Sequence, residues 1–515
     1  MQKVFSRVFP PFRIPSDASV KLSAIANADP LVELSEEQKV LLLQCIRDKT
    51  YKPQCISNPA LLPKFLMSVN WSMPSHVAEA RRLLFQWAPV EAGNEVDMLQ
   101  LMLGRYSDPV VRGYAVRELN KMGDNVLKEY LLQLVQTLKY EPCHDSPLLR
   151  MLLRRALKNP NKIGHSFFWL LRSEMHVPDI CERFGIALEV YLKFCGTHQT
   201  YLFRENRVNS MIQGVAERTT KQPKKKQNSY ARAELMKLNT ILPASFTVCL
   251  SPRMECRAII PEKCRVMTSK KLPLWLTLEN ADPHGDPFVL LFKTGDDLRQ
   301  DLMTLQMLRI MDQLWLANGS DLQMLPYGCC ATGHDLGMIE VVKNSNTTAN
   351  IQVEYGGGAV GAFKTFPIDR FLRRYNQGAE EYALARERFM YSCAGYCVAT
   401  FVLGIGDRHA DNIMVTESGR LFHIDFGHFL GNFKSKFGIK RERAPFVFTP
   451  EMAFVLGRQG IESRADLFPR FQSECSKAYN LLRKKTSMLI SLFLLMVPAG
   501  MPELLEDSDI GYLQV

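Results

Sequence analysis

The sequence predicts an α+β multidomain protein in which a helical, solenoid-like front half precedes a two-lobed domain. Three observations lead there. Apolar residues recur at helical spacing up to about residue 215. From about residue 240 the pattern changes to short apolar strands separated by turn residues. Near the C-terminal end, "GIGDRHADNIMVTESGRLFHIDFG" (404–427) packs acids, an amide and two histidines around a predicted hairpin.

Residues 1–30 are Pro-rich and are expected to be an irregular tail. A helical domain is expected over 31–215. In "NVLKEYLLQLVQTLKY", Leu127, Tyr130, Leu131, Leu134, Val135 and Leu138 share a helical face. "SDPVVRGYAV" and "HDSPLLRMLL" read as offset copies, with Pro109 and Pro147 38 residues apart. Asp108 and Ser146 are placed to cap, each followed by Pro at the first helical position. A repeat of this length points to stacked helical pairs, with an ordinary bundle as the alternative. The polar, basic "KQPKKKQNS" places an exposed linker within 216–240.

A strand-rich small lobe is expected over 241–342, and a larger helical lobe over 343–515. "KLPLWLTLEN" and "PFVLLFKTGDD" read as antiparallel strands joined by "ADPHGD". "DLRQDLMTLQMLRIMDQLW" has a helical period, and "MIEVV" is a further strand. "YALARERFMYSCAGYCVATFVLGIG" reads as one long, largely buried helix. Two lobes of this kind imply a cleft between them.

The length of 515 residues suggests two to four domains, and 46% hydrophobic with 23% charged residues indicates a core-forming globular chain. A net charge of +11 favours acidic partners such as nucleic acid, anionic membrane or phosphorylated substrates, and is also compatible with a generally basic surface. The 13 cysteines are scattered and no C-x-x-C finds a second one, so no zinc site is expected. An odd cysteine count without a secretory signal fits reduced thiols in the cytosol. "SMLISLFLLMVPAGM" is too short to span a bilayer and reads as a buried helix.

In the 404–427 stretch, "NIMV" and "RLFHI" are short strands with "TESG" as their turn, Gly419 being free to take positive φ. Such a hairpin brings Asn412 close to Asp425. An amide and a carboxylate are hard oxygen ligands suited to Mg²⁺, which completes its shell with phosphate and water. Asp407 precedes Asn412 by five residues, the interval of a protein-kinase catalytic loop. Phosphoryl transfer needs a metal holder, a cationic charge neutraliser and a proton acceptor. Asn412 and Asp425 suit the first task; Asp407 or His409 suits the last, His409 having the better ordinary pKa for a base near pH 7. The joint spacing of these four residues argues against a plain capped turn.

"GIGDRHADNIM" and "FHIDFGHFLGN" resemble the catalytic and activation loops of phosphoinositide 3-kinases. The resemblance continues through "EKCRVMTSKKLPLWL", "FKTGDDLRQD", "LPYGCCATG", "GMIEVV" and "SCAGYCVATFVLGIGDRH", and reaches the helical region in "DSPLLRMLLRRALKN" and "IGHSFFWLLRSEMH". It covers most of residues 30–510 and is nearest to the class I, gamma-type catalytic subunit. It implies a phosphoinositide-3-kinase (PIK) helical domain followed by a PI3/PI4-kinase catalytic domain. It also implies ATP and Mg²⁺ as cofactors and transfer of the γ-phosphate to the 3-hydroxyl of phosphatidylinositol 4,5-bisphosphate.

Further site residues follow from the resemblance. Met267, Thr268, Ser269 and Lys271 belong to the loop over the ATP phosphates. Lys293 contacts those phosphates as a catalytic cation and Asp301, eight residues on, orients it. Trp275, Tyr327, Met267 and Ile339 line the adenine region, and backbone groups near Glu340 and Val342 bond the adenine edge. Lys434, Lys436, Lys440, Arg441 and Arg443 form a cationic activation segment whose natural ligand is a polyphosphorylated headgroup presenting a hydroxyl.

The resemblance further implies a cytoplasmic protein recruited to the plasma membrane. A phosphoinositide surface, a regulatory subunit, G-protein βγ and Ras are its expected partners, and nucleic acid is not. Relative to the family pattern the chain is expected to be truncated at both ends, lacking Ras-binding and C2 domains before it and further helices after it. Alternatives are a class II enzyme using less phosphorylated lipid and a truncated, silent form that serves as a binding module.

Overall fold

The computed structural model describes residues 14–269, 271–433, 435–436, 439–440, 444–457 and 466–514. A helical region occupies the front half. It begins earlier than expected: within the predicted irregular tail, Ala18–Asn27 is a helix held by buried Ala18, Leu22 and Ile25. The prolines at 10, 11 and 15 had masked this periodicity, but all of them precede the first turn.

Both repeat copies are helices with the expected starts. The Asp108 carboxylate accepts from the amides of Val110 and Val111 ahead of helix Pro109–Leu119. The Ser146 hydroxyl accepts from Leu149 N–H ahead of Pro147–Lys158. Such caps each contribute about 1 kcal/mol. The single helix expected around Tyr130 is divided there into Asp124–Glu129 and Leu131–Thr137, because Tyr130 leaves helical geometry at φ −107° and ψ 5°. The stretch expected as a linker is mostly helical, with His198–Thr220 followed by a short basic turn and Gln227–Asn239.

The small lobe is a sheet of strands β1 (Phe246–Val248), β2 (Ser251–Ile259), β3 (Arg265–Val266), β4 (Leu274–Asn280), β5 (Phe288–Thr294), β6 (Cys329–Gly333) and β7 (Leu336–Glu340). Their order is β1-β2-β4-β5-β7-β6, with β3 beside β4. All the pairings are antiparallel, and β4 and β5 run in register from Leu274↔Phe292 to Leu278↔Phe288. Helices His165–Ser173 and His198–Thr220 pack on β6 and β1, so the helical region braces the sheet. A buried polar network joins them. Glu205 accepts from Trp169 Nε1 at 3.1 Å, lies 2.9 Å from His165 Nε2 and also accepts from the Thr247 hydroxyl.

The large lobe is built on helix Ala379–Val402, which is buried almost continuously from Phe389 to Thr400. It packs on helix Phe468–Arg483 and on a second sheet of β8 (Ser345–Thr347), β9 (Ile413–Thr416) and β10 (Leu421–His423), ordered β10-β9-β8. The β9–β10 turn requires Gly419 twice over: its φ is 102°, and a Cβ there would sit 2.1 Å from the Ala385 carbonyl oxygen. The apolar C-terminal run forms the buried helix Thr486–Leu494. Among the described residues no helix is long and apolar enough to cross a membrane.

Asp312, on helix Arg299–Ala317, gives the fold a pH dependence. Burial, with the neighbouring Asp321 charge adding to it, pushes its carboxyl up to about 6. A raised folded-state pKa means that the protonated form is favoured by folding. Its stability is fully present below about pH 4 and is lost as pH rises through 6. Asp312→Asn is therefore expected to gain stability over the parent between pH 5 and 7.5, reaching on the order of 2 kcal/mol. Thermal melts across that range check this, and a difference independent of pH would contradict it.

Candidate active site

The site forms where helix Ala379–Val402 ends. Gly404 turns the chain at φ 56°, and residues 404–412 lead into β9. This loop is zipped to the segment after β10: Gly406 N–H donates to His428 O at 3.0 Å, Leu430 N–H to Leu403 O at 2.8 Å and Gly431 N–H to Gly404 O at 3.0 Å. The hairpin register His423↔Ile413 places Asn412 opposite Ile424, whose N–H donates to the Asn412 carbonyl at 3.0 Å. The sequence expectation that the hairpin unites the Asn412 and Asp425 segments is met by this geometry.

Arg408, which sequence reasoning passed over, fastens the two segments together. Its guanidinium donates to Gly406 O at 2.9 Å, to Ile424 O at 2.7 Å and to Asp425 O. The head lies 5.6 Å from the centre of the Phe426 ring. Burial works against its charge, but Asp425, Asp407 and Asp301 offset part of that cost. Three carbonyls around a rigid planar donor suit arginine and no other side chain. The only sequence signal was its position between two residues already singled out.

Two site carboxylates sit on left-handed backbone, Asp407 at φ 54° and Asp425 at φ 60°. Each such residue costs about 1–3 kcal/mol and persists where its surroundings over-determine it. Asn412 is buried, and its side-chain NH₂ donates to Asp407 O at 2.9 Å. That commits the nitrogen and leaves Oδ1 as a ligand atom. With exposed Asp425 this makes a two-oxygen set. The pair suits Mg²⁺ arriving with phosphate, because such an ion keeps most of its shell for phosphate and water.

His409 is partly exposed, and its Nδ1 accepts from the Asp411 amide at 3.3 Å. That bond puts the proton of the neutral ring on Nε2, making the outer nitrogen a donor. The other histidine of the stretch, His423, is a core residue. It is stacked on Tyr396 at 5.3 Å, and burial followed by the Arg408 charge drives its pKa well down.

Lys293 is the penultimate residue of β5, above this floor. Burial disfavours its charge, yet Asp301, Asp425 and Asp296 together outweigh burial and hold the ammonium above its ordinary range. Asp296 makes the close ion pair at 3.5 Å, while buried Asp301 acts more strongly because water screens it less. Asp301, in the first turn of helix Arg299–Ala317, also accepts from Phe426 N–H at 3.1 Å. It thus touches both the lysine's field and the Asp425 turn. Burial raises its own pKa, with the Lys293 charge opposing the rise.

The remaining expected residues line the same sheet. Met267 N–H donates to Pro273 O at 2.9 Å, closing a loop that exposes Thr268 and Ser269. Lys271 Nζ donates to Gly295 O, two residues past Lys293. Trp275 lies on β4 with Arg265 over its ring at 4.4 Å. Tyr327 is buried edge-on to Phe422 at 6.4 Å, and Ile339 is buried on β7. The Glu340 amide is spent on Gly328 O at 2.8 Å and that of Val341 on Val289 O at 3.1 Å. The backbone groups expected near the adenine edge lie in this stretch, and these two amides are already engaged within the sheet lobe.

Of the expected headgroup cations, Lys434, Arg441 and Arg443 lie outside the described residues. Lys436 and Lys440 belong to a small antiparallel hairpin, Ser435↔Lys440 and Lys436↔Ile439, described by its backbone alone.

Asp301→Asn keeps an acceptor for Phe426 N–H but removes the charge facing Lys293. The expected result is about a tenfold loss of Mg·ATP affinity in equilibrium binding, roughly 1.4 kcal/mol, with the melting temperature held within about 2 °C.

Comparison with known proteins agrees with this geometry. Residues 287–505 match the family model described as phosphatidylinositol 3- and 4-kinase. Residues 11–204 match that of the phosphoinositide 3-kinase family accessory (PIK) domain. Phosphatidylinositol 3-kinase 2 of Dictyostelium discoideum is 47% identical over 502 residues, 97% of this chain and 26% of that protein. Phosphatidylinositol 3-kinases 1 and 3 of the same organism are 46% and 42% identical, over 95% and 96% of this chain and 30% and 28% of their own lengths. The chain thus spans less than a third of the length of these curated relatives. The loops clamped by Arg408 and the helices that brace them are therefore parts of a PI3/PI4-kinase catalytic domain preceded by a PIK helical domain.

Proposed function

We propose that the chain is a lipid kinase that transfers the γ-phosphoryl group of ATP to the 3-hydroxyl of phosphatidylinositol 4,5-bisphosphate and other phosphoinositides. It would act at the cytoplasmic face of the plasma membrane. The observation that carries the phosphoryl-transfer part is the Asn412–Asp425 oxygen pair, clamped by Arg408 and faced by the Lys293 cation. The headgroup part rests on sequence: five cations in "KSKFGIKRER" stand against the single acid Glu442, directly after the Asp425 turn. A polyanion that presents a hydroxyl is the ligand such a segment suits. The class I assignment, nearest the gamma type, belongs to the same proposal and rests on "EKCRVMTSKK" and "GAFK".

Phosphoryl transfer asks little covalent chemistry of the protein and much positioning. Asn412 Oδ1 and Asp425 are the residues that would hold Mg²⁺, which would supply positive charge against the negative charge that develops on the phosphoryl group. Lys293, kept cationic by its carboxylates, adds charge from the opposite lobe. The Asp407 carboxylate accepts the proton of the lipid hydroxyl, while His409, donating through Nε2, stabilises the transferring group.

The test is incubation of the full chain with labelled ATP, Mg²⁺ and vesicles carrying mono- or bisphosphorylated inositol lipid. Asp425→Ala should lower product at least about a thousandfold, in line with loss of a preorganised charge stabiliser. A Lys440/Arg441/Arg443 triple-alanine variant should lose the bisphosphate lipid more than the monophosphate. Product surviving Asp425→Ala would sink the metal assignment, and an unchanged lipid preference would sink the headgroup assignment.

A further inference from the structure

The chain leaves the Asp425 turn through His428 and Phe429, and a single carboxylate from the C-terminal end holds both. Glu503 Oε1 lies 2.5 Å from His428 Nδ1, and Glu503 Oε2 accepts from Phe429 N–H at 2.8 Å. Its side chain is 14% exposed and that of His428 30%, so both contacts are partly buried. Glu503 sits in a tight turn in which Leu504 N–H donates to Met501 O at 3.0 Å, with both Met501 and Leu504 fully buried. The turn is anchored behind by Arg299, whose Nη1 donates to Ala499 O at 2.6 Å, and by Lys139, whose Nζ donates to Pro498 O at 3.1 Å. Arg299 starts the helix that carries Asp301. Two acids on a common support thus grip the turn on either side of Gly427: Asp301 takes the Phe426 amide, and Glu503 takes the Phe429 amide.

We propose that Glu503 is a positioning residue for phosphoryl transfer, acting through His428 and Phe429 to fix the path of the chain between the Asp425 ligand and the basic segment. This rests on the functional reading above. A carboxylate at Nδ1 also fixes the imidazole orientation, holding the ring proton on that nitrogen and leaving Nε2 as its acceptor in the neutral form. His428 O already accepts from Gly406 N–H, one residue before Asp407, so movement of His428 displaces the Asp407 loop as well. A group that fixes geometry without touching nucleotide should alter turnover more than nucleotide binding.

The experiment uses the full chain, its Glu503→Ala, Glu503→Gln and His428→Ala variants, and the Glu503→Ala/His428→Ala double variant. Lipid turnover, KM for Mg·ATP, melting temperature and amide exchange over 424–433 are measured for each. Glu503→Ala should lower kcat about tenfold or more, leave KM within about twofold, and speed exchange at Phe429 more than tenfold. Glu503→Gln, which keeps an acceptor for Phe429, should recover part of the loss. The double variant should be no worse than the more impaired single variant, as for groups that act as one unit. Unchanged turnover and exchange in Glu503→Ala, or losses that simply multiply in the double variant, would overturn the proposal. A parent that makes no lipid product would overturn the functional reading and with it the catalytic role of Glu503. The exchange result would then still decide whether the grip exists.

Discussion

The guanidinium of Arg408 is the interaction on which the rest of the site depends. It binds the carbonyls of Gly406, Ile424 and Asp425, and so ties the loop before β9 to the turn after β10. Hydrogen bonds to a charged donor contribute about 1.5–3 kcal/mol each. Several of them outweigh the cost of holding Asp407 and Asp425 on left-handed backbone. Without that clamp both carboxylates would lose a main support of their strained positions, and Asn412, bonded to Asp407 O, would lose part of its orientation with them.

Around this clamp the charges are arranged in opposition. Lys293 and Arg408 approach Asp425 from two lobes, and buried Asp301 stands behind both. In a partly desolvated cleft the buried charges are stabilised mainly by their charged neighbours. The cationic lysine therefore stays charged despite burial. The sheet is held to the helical region by the Glu205 network, and the floor is held by the long helix Ala379–Val402. The strain at the two aspartates is borne by elements that are themselves deeply packed.

Much of this could be read in the sequence where the chemistry is local. The strands on either side of "TESG" made the hairpin legible, and with it the approach of the Asn412 and Asp425 segments, since a two-stranded turn has few ways to close. The caps at Asp108 and Ser146 were legible for the same reason. What escaped notice depends on distant partners. Arg408 acts on carbonyls up to 17 residues away, which no motif displays. Asp296, the close ion partner of Lys293, was not singled out within the strand stretch "PFVLLFKTGDD". The helix at Ala18–Asn27 was hidden by the prolines before it, and the break at Tyr130 by apolar residues that continue the period through it.

The central claim is that the Arg408 clamp preorganises the Asn412–Asp425 pair. Electron paramagnetic resonance of Mn²⁺, titrated with a non-hydrolysable ATP analogue into the parent and Arg408→Leu, measures this most directly. The account predicts that the ternary metal site weakens at least tenfold in Arg408→Leu, while nucleotide affinity without metal changes by less than about threefold. Equal Mn²⁺ affinity in the two proteins, with both folded, would contradict it.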